Sequence, residues 1–209
     1  DFCLSRGLGD VYKRQETPKA LIHHPGQAIK RPIELEADVV RFQNNKEKWI
    51  AFVGLDPEGR PYEIFTGLAD DEDGIFCPKG VTHGKIIKAM DAQGRKRYDF
   101  QFVNKRGYKT TIEGLSEKFN PEFWNYAKLI SGVLRYGMPI DQVLKLVGGL
   151  ELDSTSINTW KNGVERTLKK YMPNGAPASG QRCPNCGAET LVYQEGCLIC
   201  KNCGTSKCG

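Results

Sequence analysis

The stretch KTTIEGLSEKFNPEFWNYAKLISGVLR, residues 109–135, contains the point where one periodicity replaces another. Lys109–Ile112 closes a series of short alternating runs, and after Ser116 the spacing becomes helical. Asn120 is placed as a helix N-cap, Pro121 as the first helical residue and Glu122 as an acid in the first turn. Phe123, Ala127, Ile130 and Leu134 then recur at i, i+4, i+7 and i+11, which lines one face of a helix predicted to end near Gly137.

Working backwards, the runs Asp38–Gln43, Trp49–Leu55, Tyr62–Thr66, Gly84–Met90 and Tyr98–Val103 precede Lys109–Ile112. They are separated by NNKE, DPEGRP, DDEDG, DAQGRK and NKRG, whose Gly, Asn and Asp supply the positive-φ positions that tight turns need. A mostly antiparallel sheet follows. Working forwards, Pro139 opens a second helix with Ile140, Val143, Leu144 and Val147 on one stripe, stopped by Gly148-Gly149. Asp153 or Ser154 is the expected cap of a third, carrying Ile157, Trp160, Val164, Leu168 and Met172 up to Pro173. These apolar side chains read as core, since an amphipathic helix needs such a stripe in any case. The fold class is α+β: a mostly antiparallel sheet, about three helices, and a small C-terminal zinc-ribbon module.

The 209 residues allow one medium domain and an appendage, not a large enzyme barrel. Of these residues 39% are hydrophobic and 26% charged, which suits a soluble globular chain. The longest unbroken apolar run, Trp49–Leu55, is far too short for a membrane span, and no signal-peptide pattern opens the chain. A cytoplasmic protein is expected. The net charge of +5 is too mild to name a partner. Residues 1–15, DFCLSRGLGDVYKRQ, resemble a translated sequencing adapter, and Cys3 falls within them. Residues 16–34 read as a linker, in which His23 and His24 have no carboxylate or Cys neighbour that would make a metal site. The acidic cluster Asp70, Asp71, Glu72 and Asp73 lacks the spacing of a calcium loop and reads as a solvated turn. A domain over 35–175, a flexible linker over 176–182 and a cysteine module over 183–209 complete the division.

Six of the eight cysteines lie in that module. Cys183-Pro-Asn-Cys186-Gly187 and Cys200-Lys-Asn-Cys203-Gly204 are two C-x2-C-G turns, each aiming two thiolates at one point. The matched glycines favour Cys183, Cys186, Cys200 and Cys203 as zinc ligands. The alternative set is Cys183, Cys186, Cys197 and Cys200. Both leave Cys208 outside the zinc site, beside Lys207, where a thiol is placed for exchange. So small a module has little core, and a bound metal is expected to supply most of its folding energy.

RPIELEADVVRFQNNKEKWIAFVGL (31–55), GRPYEIFTGLADDEDGI (59–75), KRGYKTTIEGLSEKFNPEFWNYAKLISGVLRYGMPIDQV (105–143), SINTWKNGVER (156–166) and YQEGCLICKNCGTSKCG (193–209) resemble the C-terminal region of adenosylcobalamin-dependent (class II) ribonucleoside-diphosphate reductases. The resemblance implies a parent enzyme that makes deoxyribonucleotides by thiyl-radical chemistry. Its catalytic barrel and adenosylcobalamin site lie upstream of this fragment, which by itself is expected to be inactive. It also implies that tail cysteines relay reducing equivalents from a thioredoxin-type reductant to the active-site disulfide. That role falls on Cys208 with Cys197, or with Cys203 as runner-up, while Cys77 reads as structural. The competing reading is a ribbon that binds nucleic acid or another partner. Against it, the module carries only Arg182, Lys201 and Lys207 opposite Glu189 and Glu195, too little charge for counterion-release binding.

Overall fold

The computed structural model describes residues 30–70, 72, 74–152 and 158–208. Expectations for residues 1–15, most of 16–34, His23, His24, Asp71, Asp73, Asp153, Ser154 and Ile157 lie outside these residues. Six strands, β1 (Glu34–Asn44), β2 (Glu47–Leu55), β3 (Pro61–Leu68), β4 (His83–Met90), β5 (Lys96–Val103) and β6 (Lys109–Ile112), form one sheet in the order β3-β2-β1-β4-β5-β6. All its pairings are antiparallel. After a 3-10 turn at Leu115–Glu117 come α1 (Pro121–Arg135), α2 (Ile140–Gly148) and α3 (Trp160–Lys169). A second sheet, in the order β7-β8-β9, holds β7 (Leu191–Gln194), β8 (Cys197–Cys200) and β9 (Ser206–Lys207).

β2 is buried on both faces, which is why WIAFVGL reads as a continuous apolar run. Trp49, Ala51 and Val53 face the helices, whereas Ile50 and Phe52 face a second apolar cluster. That cluster exists because the sheet coils on itself. Phe52 on β2 and Phe100 on β5 are not on neighbouring strands, yet their rings lie 4.6 Å apart. The helices close the other face. Trp160 is buried between Phe123 and Tyr126 at 5.4 and 5.7 Å, and its Nε1 donates to Thr66 Oγ1 at 2.9 Å, satisfying the indole inside the core. At Gly163 a Cβ would stand 2.0 Å from the Phe42 ring, so only glycine lets α3 lie this close to β1.

The local signals at α1 act as expected: Asn120 Oδ1 accepts from the Glu122 amide at 3.0 Å, with Pro121 at the first helical position. α3 differs from its expected start. It begins at Trp160 with Thr159 as cap, the Thr159 hydroxyl accepting from the Asn162 amide at 3.2 Å. Met172 lies beyond its end but stays buried in the same core.

Within residues 176–182, expected as a flexible linker, the first three residues run alongside β7. Gly175 donates to the Tyr193 carbonyl at 2.7 Å, Tyr193 to Ala176 at 2.9 Å and Ala178 to Leu191 at 2.9 Å. The free edge of β7 needs backbone partners, and residues 175–178 supply them. Ala178, Leu191 and Tyr193 share one apolar cluster with Val143, Val147 and Leu168, so the cysteine module is continuous with the domain core. Among the described residues, no helix is long and apolar enough to cross a membrane.

Candidate metal centre

Two short segments with the same local geometry build the cysteine site. In each, the first cysteine's amide donates five residues ahead: Cys183 to the Ala188 carbonyl and Cys200 to the Thr205 carbonyl, both at 2.9 Å. The glycine after the second cysteine donates back to the first cysteine's carbonyl, Gly187 to Cys183 and Gly204 to Cys200, again at 2.9 Å. Gly187 and Gly204 take φ of 71° and 73°, the left-handed region that closes such a turn and that side chains resist.

The two turns meet face to face. Cys183 Sγ lies 3.5 Å from Cys203 Sγ, and Cys186 Sγ lies 3.6 Å from Cys200 Sγ. All four sulfurs fall within 4.8 Å of one another, an arrangement that can hold a metal ion. Cys183 and Cys200 are buried, while Cys186 and Cys203 are exposed. Asn185 Nδ2 stands 3.7 Å from Cys203 Sγ and Asn202 Nδ2 3.6 Å from Cys186 Sγ, so each turn sends an amide donor to a sulfur of the other. The sequence carried that signal in the repeated C-x-N-C-G, but only the facing of the turns shows what the asparagines do.

The four thiols sit in unequal electrostatic surroundings. The Thr205 hydroxyl and amide, then Asn185, hold the Cys203 thiol down to about 5. Thr190, 3.4 Å from Cys200 Sγ, and the Cys203 amide lower Cys200 as well. Cys183 goes the other way, to about 11: the Cys186 amide favours its thiolate, but burial and the sulfurs of Cys203 and Cys200 outweigh it. Four thiolates this close repel one another, and a divalent cation among them removes the conflict.

The remaining two cysteines of the module are joined: Cys197 and Cys208 form a disulfide, their Cα atoms 4.3 Å apart. Cys197 and Cys200 open and close β8, three residues apart, and an odd offset in a strand sends side chains to opposite faces. Cys200 therefore joins the four-sulfur cluster, whereas Cys197 points towards β1 and α3. Cys203, the runner-up partner for Cys208, lies in the cluster. Cys77 is outside the four-sulfur cluster and the disulfide: burial pushes its thiol up, against the opposing Arg41 guanidinium 3.6 Å away.

The sequence of residues 35–173 matches the family model described as the NrdJ homologue C-terminal domain. No curated protein and no solved structure gives a match.

Proposed function

Because the chain belongs to the NrdJ homologue C-terminal domain family, a family related to ribonucleotide reductase, we propose that its tail is a zinc-shaped redox arm of an adenosylcobalamin-dependent ribonucleotide reductase. The observation that carries this reading is the division of six cysteines into two groups within one small module: a four-sulfur cluster and a separate disulfide.

Zinc suits the cluster. A Zn–S bond of ~2.3 Å in a tetrahedron puts sulfurs about 3.8 Å apart, near the 3.5 and 3.6 Å found here. Cys183, Cys186, Cys200 and Cys203 would hold it, and the ion would supply charge neutralisation and a structural crosslink rather than reaction chemistry. With those four thiols so engaged, Cys197 and Cys208 remain for thiol exchange. Reduced by a thioredoxin-type dithiol, they would pass two electrons to the disulfide that ribonucleotide reduction leaves in the catalytic barrel of the parent enzyme. Adenosylcobalamin belongs to that barrel, and no residue of this chain is assigned to it.

The test is Cys208→Ser in the complete enzyme. A single turnover and zinc content should be unchanged, while repeated turnover with thioredoxin should cease and a small dithiol should restore it. Normal repeated turnover with thioredoxin would refute the arm.

A further inference from the structure

The Cys197–Cys208 disulfide borders a cavity of about 290 Å³ between β1 and the end of α3, and four cations line it: Arg41, Arg166, Lys169 and Lys170. Glu195 is the one acid in that lining. A second cavity of about 600 Å³ shares Arg41 and Arg166 with the first, adds Lys48 and Lys79, and has no acid in its lining. The positive strip thus runs continuously away from the disulfide.

The charges on this strip are poorly matched inside the protein. Lys169 pairs with Glu165 at 3.4 Å. Arg41 is spent on neutral carbonyls, those of Val81 at 3.0 Å and Pro78 at 2.7 Å, and Arg166 on the side-chain oxygen of Asn158 at 3.3 Å. Among the described residues, Arg41, Arg166, Lys170, Lys48 and Lys79 have no carboxylate within ion-pair distance. Beside this small field Cys208 is an exposed residue and its disulfide partner Cys197 is half-buried.

We propose that this strip is the docking surface for the reductant of the Cys197–Cys208 disulfide, and that the reductant meets it with an acidic face around its own dithiol. The proposal rests on the redox-arm reading and adds to it the chemistry of the partner. In the reaction the partner's thiolate attacks Cys208 Sγ, forming a mixed disulfide and breaking the Cys197–Cys208 bond. The electron pair of that bond leaves on Cys197 Sγ, next to the cations. The partner's second thiol then attacks the mixed disulfide and releases Cys208. The partner ends as a disulfide, oxidised by two electrons, and the chain ends as a dithiol after taking up two protons. The cations act twice: they raise the encounter rate of an anionic attacker and they favour the departing thiolate.

The experiment measures reduction of the disulfide in the 209-residue chain by two small thiols of opposite charge, 2-mercaptoethanesulfonate and cysteamine. Each rate is taken per thiolate and divided by the same thiol's rate on the neutral hydroxyethyl disulfide. The anionic thiol is expected to be favoured roughly tenfold at low ionic strength. The preference should shrink towards unity in about 0.5 M salt, as screening demands. The double variant Lys169→Glu, Lys170→Glu, checked for an intact fold by circular dichroism, should abolish or reverse it. Equal normalised rates on the unaltered chain would overturn the proposal. So would a single-stranded oligonucleotide that binds the strip while thiol charge has no effect, since the surface would then serve nucleic acid. The readout requires no turnover, so it can fail while Cys208→Ser still upholds the arm, and the converse also holds.

Discussion

Cys197 and Cys208 stand directly across from each other on paired strands: β8 and β9 match Leu198 with Lys207 and Ile199 with Ser206, and continuing that register by one residue brings the two cysteines together. Residues of the same short hairpin, Cys200 and Cys203, are held in the four-sulfur cluster instead. One strand therefore serves both groups, with Cys200 committed to the cluster and Cys197 to the disulfide. The two sets share β8 but leave it on opposite faces, so each can be altered without removing a sulfur from the other.

Metal content should separate the six thiols cleanly. Serine at Cys183, Cys186, Cys200 or Cys203 should cost the bound zinc, whereas Cys197→Ser and Cys208→Ser should retain one zinc per chain, measured by atomic emission on protein purified without chelator. Chelation should also lower the melting temperature of the whole chain, because Leu191 and Tyr193 share a core with Val143 and Leu168. A zinc-free Cys197→Ser protein would contradict the assignment.

Gly196 fixes the arm to the domain. Its φ is 80°, and a Cβ there would lie 3.1 Å from Lys170 Cα. Gly196→Ala should therefore loosen the β7–β8 turn from the end of α3, at a cost of about 1–3 kcal/mol. Amide exchange should accelerate at residues 194–198 while β2 stays protected. Unchanged protection around the turn would show that the close approach carries no weight.

Glu63 is fully buried between two guanidinium groups, with Arg31 Nη2 at 2.6 Å and Arg135 Nη2 at 2.7 Å. Glu63→Gln keeps the shape but leaves two cations without their counter-charge, and should cost about 3–5 kcal/mol in urea unfolding. A loss under about 1 kcal/mol would mean that solvent compensates the arginines.

His83 has its imidazole held above its ordinary range by hydrogen bonding to Asp38 at 3.0 Å, with burial opposing and Glu36 at 3.1 Å assisting. A base whose folded pKa is raised stabilises the fold fully below its unfolded pKa and loses that contribution as pH rises through the folded pKa. Stability should therefore fall as pH rises above the ordinary imidazole range, by a component that His83→Gln removes. The ring is 54% exposed, so the component should be only a few tenths of a kcal/mol in denaturant midpoints. An identical pH dependence in the variant would exclude the pairing as its source.

Much of this protein was legible in one dimension because the forces concerned act over a few residues. Asn120-Pro121 starts a helix through its own cap and fixed dihedral, the Gly and Asn turns separate the six strands, and each C-x-N-C-G closes on its own backbone. The C-x2-C spacing, by contrast, left Cys197, Cys200 and Cys203 competing for partners. The strand decided, since β8 alternates its side chains and sends Cys197 and Cys200 to opposite faces. The same holds for Gly175–Gln181, whose composition is that of a free linker but whose backbone pairs with β7 from Gly175 to Ala178 because an unpaired edge lies beside it. Glu63 received its two arginines, and the disulfide its neighbouring cations, from distant parts of the chain. Spacing encodes what neighbours in the chain do to one another; burial and long-range charge exist only once the sheet has coiled and α3 has packed against β1.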